Sequence, residues 1–251
     1  MSSHTFLIVG SNKHNTDIED LFQKIDASYI KESISYPLFS TFAQKELEKT
    51  WKEKKYQTII ITSTYSLQFL QHSSLILKNE FLETLLFLSG PETEKNAIKL
   101  GFKNTFSFPE WGLKRIEDEL VQNQTLHQIL YLHGDPYTQL SQDFQKLKAV
   151  KDICLYSMCF KNKISNITLQ NIVNHNIGYI LFLSNKAQEV FHQKMKKYSK
   201  SLKNIKAICL SQKIKDSIEK HQLYDEIMVC STMNQIEQFL KVHLSQNKNK
   251  T

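Results

Sequence analysis

A chain of 251 residues that is 41% hydrophobic and 23% charged has an ordinary globular composition, with room for one large domain or two small ones. No apolar run approaches the roughly 18–20 residues needed to cross a bilayer, and the first one, Phe6–Val9, lacks the basic flank and cleavage pattern of a signal peptide, so a cytoplasmic protein that meets no membrane is expected. The formal net charge of +7, with Arg115 as the only arginine, suggests an anionic partner, but the lysines are scattered and no basic stripe interleaved with aromatics points to nucleic acid.

Taken in order, short apolar runs alternate with helical periodicities. Phe6–Val9 reads as a strand, and Thr16-Asp-Ile-Glu19 as a capping box opening a helix through about Ile25. Ser33–Phe42 is extended and β-prone with no crossover helix obvious after it; Pro37 cannot donate to a ladder, which argues against a central strand. Further strands are expected at Thr58–Ile61, Leu85–Leu88, Asn104–Ser107 and Ile129–Leu132. Pro91 suits a first helical position after Gly90, and Gly101 closes that helix. Asp152–Phe160 is a second extended segment outside the rhythm. Strands at Ile180–Phe182, Ala207–Leu210 and Glu226–Val229 follow, and the tail SQNKNKT lacks apolar anchors and is expected to be disordered. Near-continuous Ile, Leu and Val in the strands indicate a parallel sheet covered on both faces. The lysine groups at Lys52–Lys55 and Lys194–Lys200 are expected on solvated helix surfaces. The cysteines, Cys154, Cys159, Cys209 and Cys230, lie in apolar segments with no CxxC spacing, which predicts reduced core thiols.

The chain repeats itself. TIIITSTYSLQFL from Thr58 returns as YILFLSNKAQEVF from Tyr179; Ser63 stands 27 residues before Gly90, and Ser184 stands 27 before Ser211. FLIVGS near the N-terminus matches ILYLHG from Ile129 at an offset of 122 or 123. Two similar α/β units are therefore expected, with the first strand of one donated by the N-terminus. The first would comprise residues 1–35 and 161–251, the second 36–160, with connectors near 34–42 and 152–160 passing side by side.

In an open α/β sheet ligands bind beyond the carboxyl ends of the strands, where unpaired N–H groups and the helix dipole favour anions. Thr62-Ser63-Thr64, Ser89-Gly90 with Thr93, Ser184-Asn185 and Ser211 all fall at such turns. One helix start contributes roughly 0.3–1 kcal/mol toward a carboxylate, so a cleft gathering several is the expectation, with plain helix capping as the alternative at each position. Val9-Gly10-Ser11-Asn12 lacks the further glycines of a dinucleotide loop, no GxxxxGK[ST] occurs, and no metal-ligand spacing is present. His133 is expected to be a cap or surface residue rather than a base.

These phrases resemble the uroporphyrinogen-III synthase family. SYPLFST, IIITSTYSLQFL, LSGPETEKNAIKLGF, ILYLHGDPYTQL, DICLYS, YILFLSNKAQEVF and ICLSQKIKDSIEK follow the family's order over nearly the whole chain. The resemblance implies two flavodoxin-like α/β domains with parallel sheets, joined by a two-stranded connector, with the active site in the interdomain cleft. It also implies a cofactor-free, metal-free lyase, monomeric, acting on hydroxymethylbilane, a linear tetrapyrrole rich in carboxylates, to give uroporphyrinogen III in haem formation. The family's tyrosine, thought to assist departure of the substrate's hydroxyl, falls on Tyr156; Thr62, Ser63, Gly90, Thr93 and Ser184 match family cleft residues. Departures accompany the match. The family's second Gly-x-x-Thr is Ser211-Gln-Lys-Ile214 here, its second Thr-Ser is Leu183-Ser184, and two arginine positions fall on Val9 or Gly10 and on His133. Lys13, Lys186 and Lys213 are candidates to supply the charge instead. The alternatives are a weak or inactive two-lobed binding protein derived from this fold, and a nucleotide-sugar transferase, for which no diphosphate loop is visible.

Overall fold

The computed structural model describes residues 5–11, 16–108, 113–122 and 128–248. The chain divides into two compact units, Met1–Tyr36 with Cys159–Thr251, and Pro37–Met158.

The first unit begins with β1 (Thr5–Ser11), α1 (Thr16–Lys24) and most of β2 (Tyr29–Phe39). The second unit then runs α2 (Thr41–Glu53), β3 (Thr58–Ile61), α3 (Thr64–Leu70), a 3-10 turn, α4 (Asn79–Leu82), β4 (Leu85–Leu88), α5 (Pro91–Leu100), β5 (Thr105–Ser107), α6 (Leu113–Gln122), β6 (Gln128–Asp135), α7 (Gln142–Leu147) and most of β7 (Ala149–Phe160). The first unit is completed by α8 (Asn166–Val173), β8 (Ile177–Phe182), α9 (Asn185–Met195), β9 (Lys206–Cys209), α10 (Gln212–Glu219), β10 (Glu226–Val229) and α11 (Met233–Lys248).

Strand order is β10-β9-β8-β1-β2 in the first unit and β7-β6-β3-β4-β5 in the second, and the pairings within each are parallel. Counted from β1, the first unit has the 2-1-3-4-5 order of a flavodoxin-like sheet; the second has the same order counted from β6. Such strands bury both faces, which is why they read as unbroken apolar runs. Ile59 and Ile61 face a core shared with α2, α3 and α5, and Ile60 faces α6 and α7. In the first unit Leu7 and Val9 face α8–α10, while Phe6 and Ile8 face α1 and α11. Each such side chain contributes about 1.5–3 kcal/mol.

The repeat extends to register. Ile61 pairs with Leu132 and Leu88; 121 to 123 residues away, Phe182 pairs with Val9 and Cys209. A bulge recurs too: Gly10 pairs with Ser33 but Ser11 with Ser35, and His133 pairs with Cys154 but Gly134 with Tyr156.

Several expectations need correction. The extended segments are longer strands than expected, and Pro37 lies inside β2. It falls beyond Ser35, the last residue paired to β1, so its missing N–H costs no bond there. The start of the tail continues α11 as far as Lys248, with the last three residues outside the described set. All four cysteines are free, but only Cys209 and Cys230 are core thiols; Cys154 is exposed and Cys159 half-buried. The helix expected from Thr16 starts there, though the side chains of Thr16 and Asp17, and all of Lys13, lie outside the described residues.

Candidate active site

The second unit gathers hydroxyls where strand order reverses, between β3 and β6. After the buried Ile61 the chain leaves the sheet at Thr62 and Ser63 caps α3, its Oγ accepting the Tyr65 N–H at 3.2 Å. Ser89, at the end of β4, donates its Oγ–H to the Thr62 carbonyl at 2.9 Å, which ties the two strand ends together. Thr62 Oγ1 lies 3.4 Å from the Tyr131 hydroxyl, which donates to the Thr138 carbonyl at 3.0 Å. Thr64 and Thr93 are buried in the first turns of α3 and α5, and Gly90 starts α5 with extended backbone.

Tyr156 completes the cluster. It enters from β7, crosses over β6 and donates its phenolic O–H to Ser63 Oγ at 2.8 Å. The crossing needs space at Gly134, the β6 residue beneath it: a Cβ there would sit 2.1 Å from Tyr156 Cζ. Among the described residues only Gly101 is a glycine with positive φ, so position 134 needs glycine for room, not for backbone freedom. Tyr65 and Phe39 meet the Tyr156 ring edge-to-face at centroid distances of 5.6 and 6.2 Å. Burial pushes the Tyr156 phenol above its ordinary value, with the Ser63 contact opposing it; Tyr131 is raised the same way and opposed by Thr62. Both are kept as neutral donors at working pH.

His133 is not the expected cap or surface residue. It lies inside β6, buried, stacked on Tyr137 at 3.7 Å with Nε2 3.4 Å from Asp152 Oδ2. A cavity of about 190 Å³ beside it is lined by Tyr131, Tyr137, Gln139, Gln145 and Asp152 among others. A hollow of about 520 Å³ framed by Trp51, Lys52, Lys54, Lys55 and Lys78 precedes β3 and β4, at the wrong edge of the sheet for such a site.

In the first unit the equivalent positions carry different chemistry. Ser184 caps α9 and Ser211 caps α10, accepting N–H groups at 3.1 and 3.4 Å. Asn185 is tied to its own helix through Glu189 and Gln188. Lys186 pairs with Glu189 at 3.3 Å, Lys213 is exposed on α10, and Ile214 is buried where the second unit has Thr93. Where Tyr156 stands over Gly134, the first unit pairs Ser35 with Ser11. Sequence reasoning missed Gly134, Tyr131, Tyr65 and Phe39; the one usable signal was a glycine in the strand ILYLHGD of a chain with only six.

Among the described residues no group of three or more His, Cys, Asp or Glu could hold a metal ion, and no helix is long and apolar enough to cross a membrane. A family model described as uroporphyrinogen-III synthase HemD matches residues 31–231. No curated protein matches by sequence. A mutant uroporphyrinogen III synthase from the extremely thermophilic bacterium Thermus thermophilus has a similar structure, with TM-score 0.51 and 10% identity over 97% of this chain and 99% of that one. The wild-type enzyme from the same bacterium, in another crystal form, gives 0.43 at 9% identity over the same shares of the two chains. At such identity the first likeness is one of fold.

Proposed function

Because the chain belongs to the uroporphyrinogen-III synthase family, we propose that it converts hydroxymethylbilane to uroporphyrinogen III as a monomeric cytoplasmic lyase. The family's enzymes are cyclising lyases working on a tetrapyrrole. The observation that carries the reading is the family match over residues 31–231, a span that contains the whole of the Tyr156–Ser63–Gly134 cluster. In the proposed reaction the terminal hydroxyl of the bilane leaves, giving an azafulvene cation. The last ring attacks through its already substituted carbon, and the spiro product fragments and recloses with that ring inverted.

The chemistry asks two things of the protein. The chain must be folded so that the less accessible carbon reacts, a matter of proximity and orientation. It must also supply a hydrogen-bond donor to the departing oxygen. Tyr156 and Ser63 are proposed as that donor set. Thr62, Thr64, Gly90, Thr93, Ser184, Asn185, Ser211 and Lys213 are proposed substrate-binding positions, a role that suits the exposed Ser184 and Lys213 and the half-buried Thr62, Asn185 and Ser211 better than the buried Thr64, Gly90 and Thr93.

The test is isomer analysis. Purified protein supplied with freshly made hydroxymethylbilane should yield the type III macrocycle; a product that is only the type I isomer, which forms unaided, would overturn the reading.

A further inference from the structure

We infer that Ser63 is the group that meets the departing hydroxyl, and that Tyr156 acts through it as the second member of a two-hydroxyl relay. The inference rests on the proposed function and changes which residue touches the substrate. Tyr156 is only 6% exposed; its ring is enclosed by Gly134, Tyr65 and Phe39, and its proton is committed to Ser63 at 2.8 Å. A phenol is more acidic than an aliphatic alcohol, so in this pair Tyr156 is the donor and Ser63 Oγ the acceptor. Ser63 Oγ accepts twice, from Tyr156 and from the Tyr65 N–H at 3.2 Å, which fills both its lone pairs. What remains is its own proton, and no acceptor among the described residues takes it. Ser63 is half-buried, more accessible than the phenol behind it. The donor presented outward is therefore the serine O–H, polarised by the two bonds it accepts.

The step balances. As the C–O bond of the hydroxymethyl group breaks, the lone pair of the adjoining pyrrole nitrogen moves in to form the azafulvene cation. The oxygen takes the Ser63 proton and departs as water, and Ser63 takes the Tyr156 proton. When ring closure ends and the last pyrrole regains aromaticity by losing a proton, that proton returns through Ser63 to the phenolate. Nothing is oxidised or reduced.

The test compares Ser63→Ala, Ser63→Thr, Ser63→Asn, Tyr156→Phe and the double variant Ser63→Ala/Tyr156→Phe in the full chain with hydroxymethylbilane, with circular dichroism to confirm folding. The relay predicts that Ser63→Ala and Tyr156→Phe each lower kcat by on the order of a hundredfold with KM little changed. The double variant should be no worse than Ser63→Ala, because the two groups act as one. Ser63→Thr should recover most of the loss. Ser63→Asn, which keeps a capping side chain but cannot pass a proton on, should be as impaired as Ser63→Ala while folded. Near-normal kcat in Ser63→Ala alongside an impaired Tyr156→Phe overturns the relay, as do fully multiplicative losses in the double variant. Either result leaves the proposed function standing if the unaltered protein makes the type III isomer. Type I product alone from the unaltered protein overturns both.

Discussion

Replacing Gly134 by alanine tests the packing on which the candidate site depends. An ideal Cβ at that position lies 2.1 Å from Cζ, 2.3 Å from Cε2 and 2.7 Å from Cε1 of Tyr156, where ordinary contact begins at 3.4 Å. The ring would have to retreat by about 1.3 Å, from 2.1 to 3.4 Å, and Tyr65 and Phe39 stand around it. Overpacking of this kind costs about 1–3 kcal/mol. A retreat that size also strains the 2.8 Å bond to Ser63, a further ~0.5–1.5 kcal/mol if lost. Alanine stiffens the unfolded chain and returns about 0.4–1 kcal/mol, so the expected net loss is about 0.5–4 kcal/mol. The measurement is denaturant unfolding followed by far-UV circular dichroism, with near-UV dichroism reporting the tyrosines.

The first unit supplies the control. It pairs Ser11 with Ser35 where the second pairs Gly134 with Tyr156, so a Cβ is tolerated once the phenol is absent. In a Tyr156→Ser background, Gly134→Ala should therefore cost nothing or stabilise slightly, giving a coupling of up to about 1.5–4.5 kcal/mol. Wild-type stability in the single variant would refute the steric argument, and so would an equal loss in both backgrounds.

Two further outcomes follow from burial. His192 lies inside α9, and burial, with His221 beside it, holds its pKa down at about 3. Gln188 gives its amide hydrogens to Asn185 and Ser217, so its oxygen accepts from His192 Nδ1, which leaves Nε2 to accept from Tyr224. The native state thus stays unprotonated there while the unfolded chain takes a proton near pH 6.5. Stability present above pH 6.5 should fall as pH drops toward 3, by up to roughly 1.4 kcal/mol per pH unit from this residue. His192→Gln should flatten that slope; an unchanged slope counts against a buried neutral imidazole. Thiol titration gives the second outcome. Cys154 should react first and Cys159 next in native protein, while Cys209, whose pKa burial pushes up to about 12, and Cys230 should wait for denaturant. Four thiols reacting at once under native conditions would contradict the packing.

Much of the fold was legible because strands covered on both faces must be apolar throughout. TIII and LLFL coincide with β3 and β4 residue for residue, and EIMV with β10, an edge strand only half-buried, whereas β1 and β6 run further than expected because they continue through glycine and polar residues at their ends. The capping serines were legible as well, since a hydroxyl between an apolar run and a helical periodicity has few other uses. The interior of the cluster was not. Gly134 and Tyr156 are 22 residues apart and face each other only because a bulge shifts β7 by one residue between Cys154 and Tyr156. A bulge reaims every side chain beyond it, and although the glycine of ILYLHGD hints at one, nothing in DICLYS says which residue of the partner strand is shifted. His133 escaped for a related reason: a polar residue late in a strand resembles an edge, and the aromatic cover from Tyr137 arrives only after the turn at Asp135-Pro136.

The same bulge occurs in both units, yet only one carries the phenol, and this sets the candidate site in the second unit apart. A bulge at the carboxyl end of the strand beside the switch point turns one side chain across its neighbour toward the next helix start. In the first unit that side chain is Ser35, too short to cross β1 and reach Ser184, and Ser11 beneath it keeps its Cβ. In the second it is Tyr156, long enough to cross β6 and reach Ser63, and the residue beneath has shrunk to Gly134. Two changes, a phenol and a missing Cβ, are needed together, because either alone gives a clash or an empty gap. The backbone offers the same site twice, so the asymmetry lies wholly in side chains. Grafting both changes, Ser11→Gly and Ser35→Tyr, into the first unit should bring a tyrosine hydroxyl to Ser184 if the bulge aims the side chain; a grafted tyrosine that stays solvent-exposed by its titration would show that the aim comes from Tyr65 and Phe39 instead.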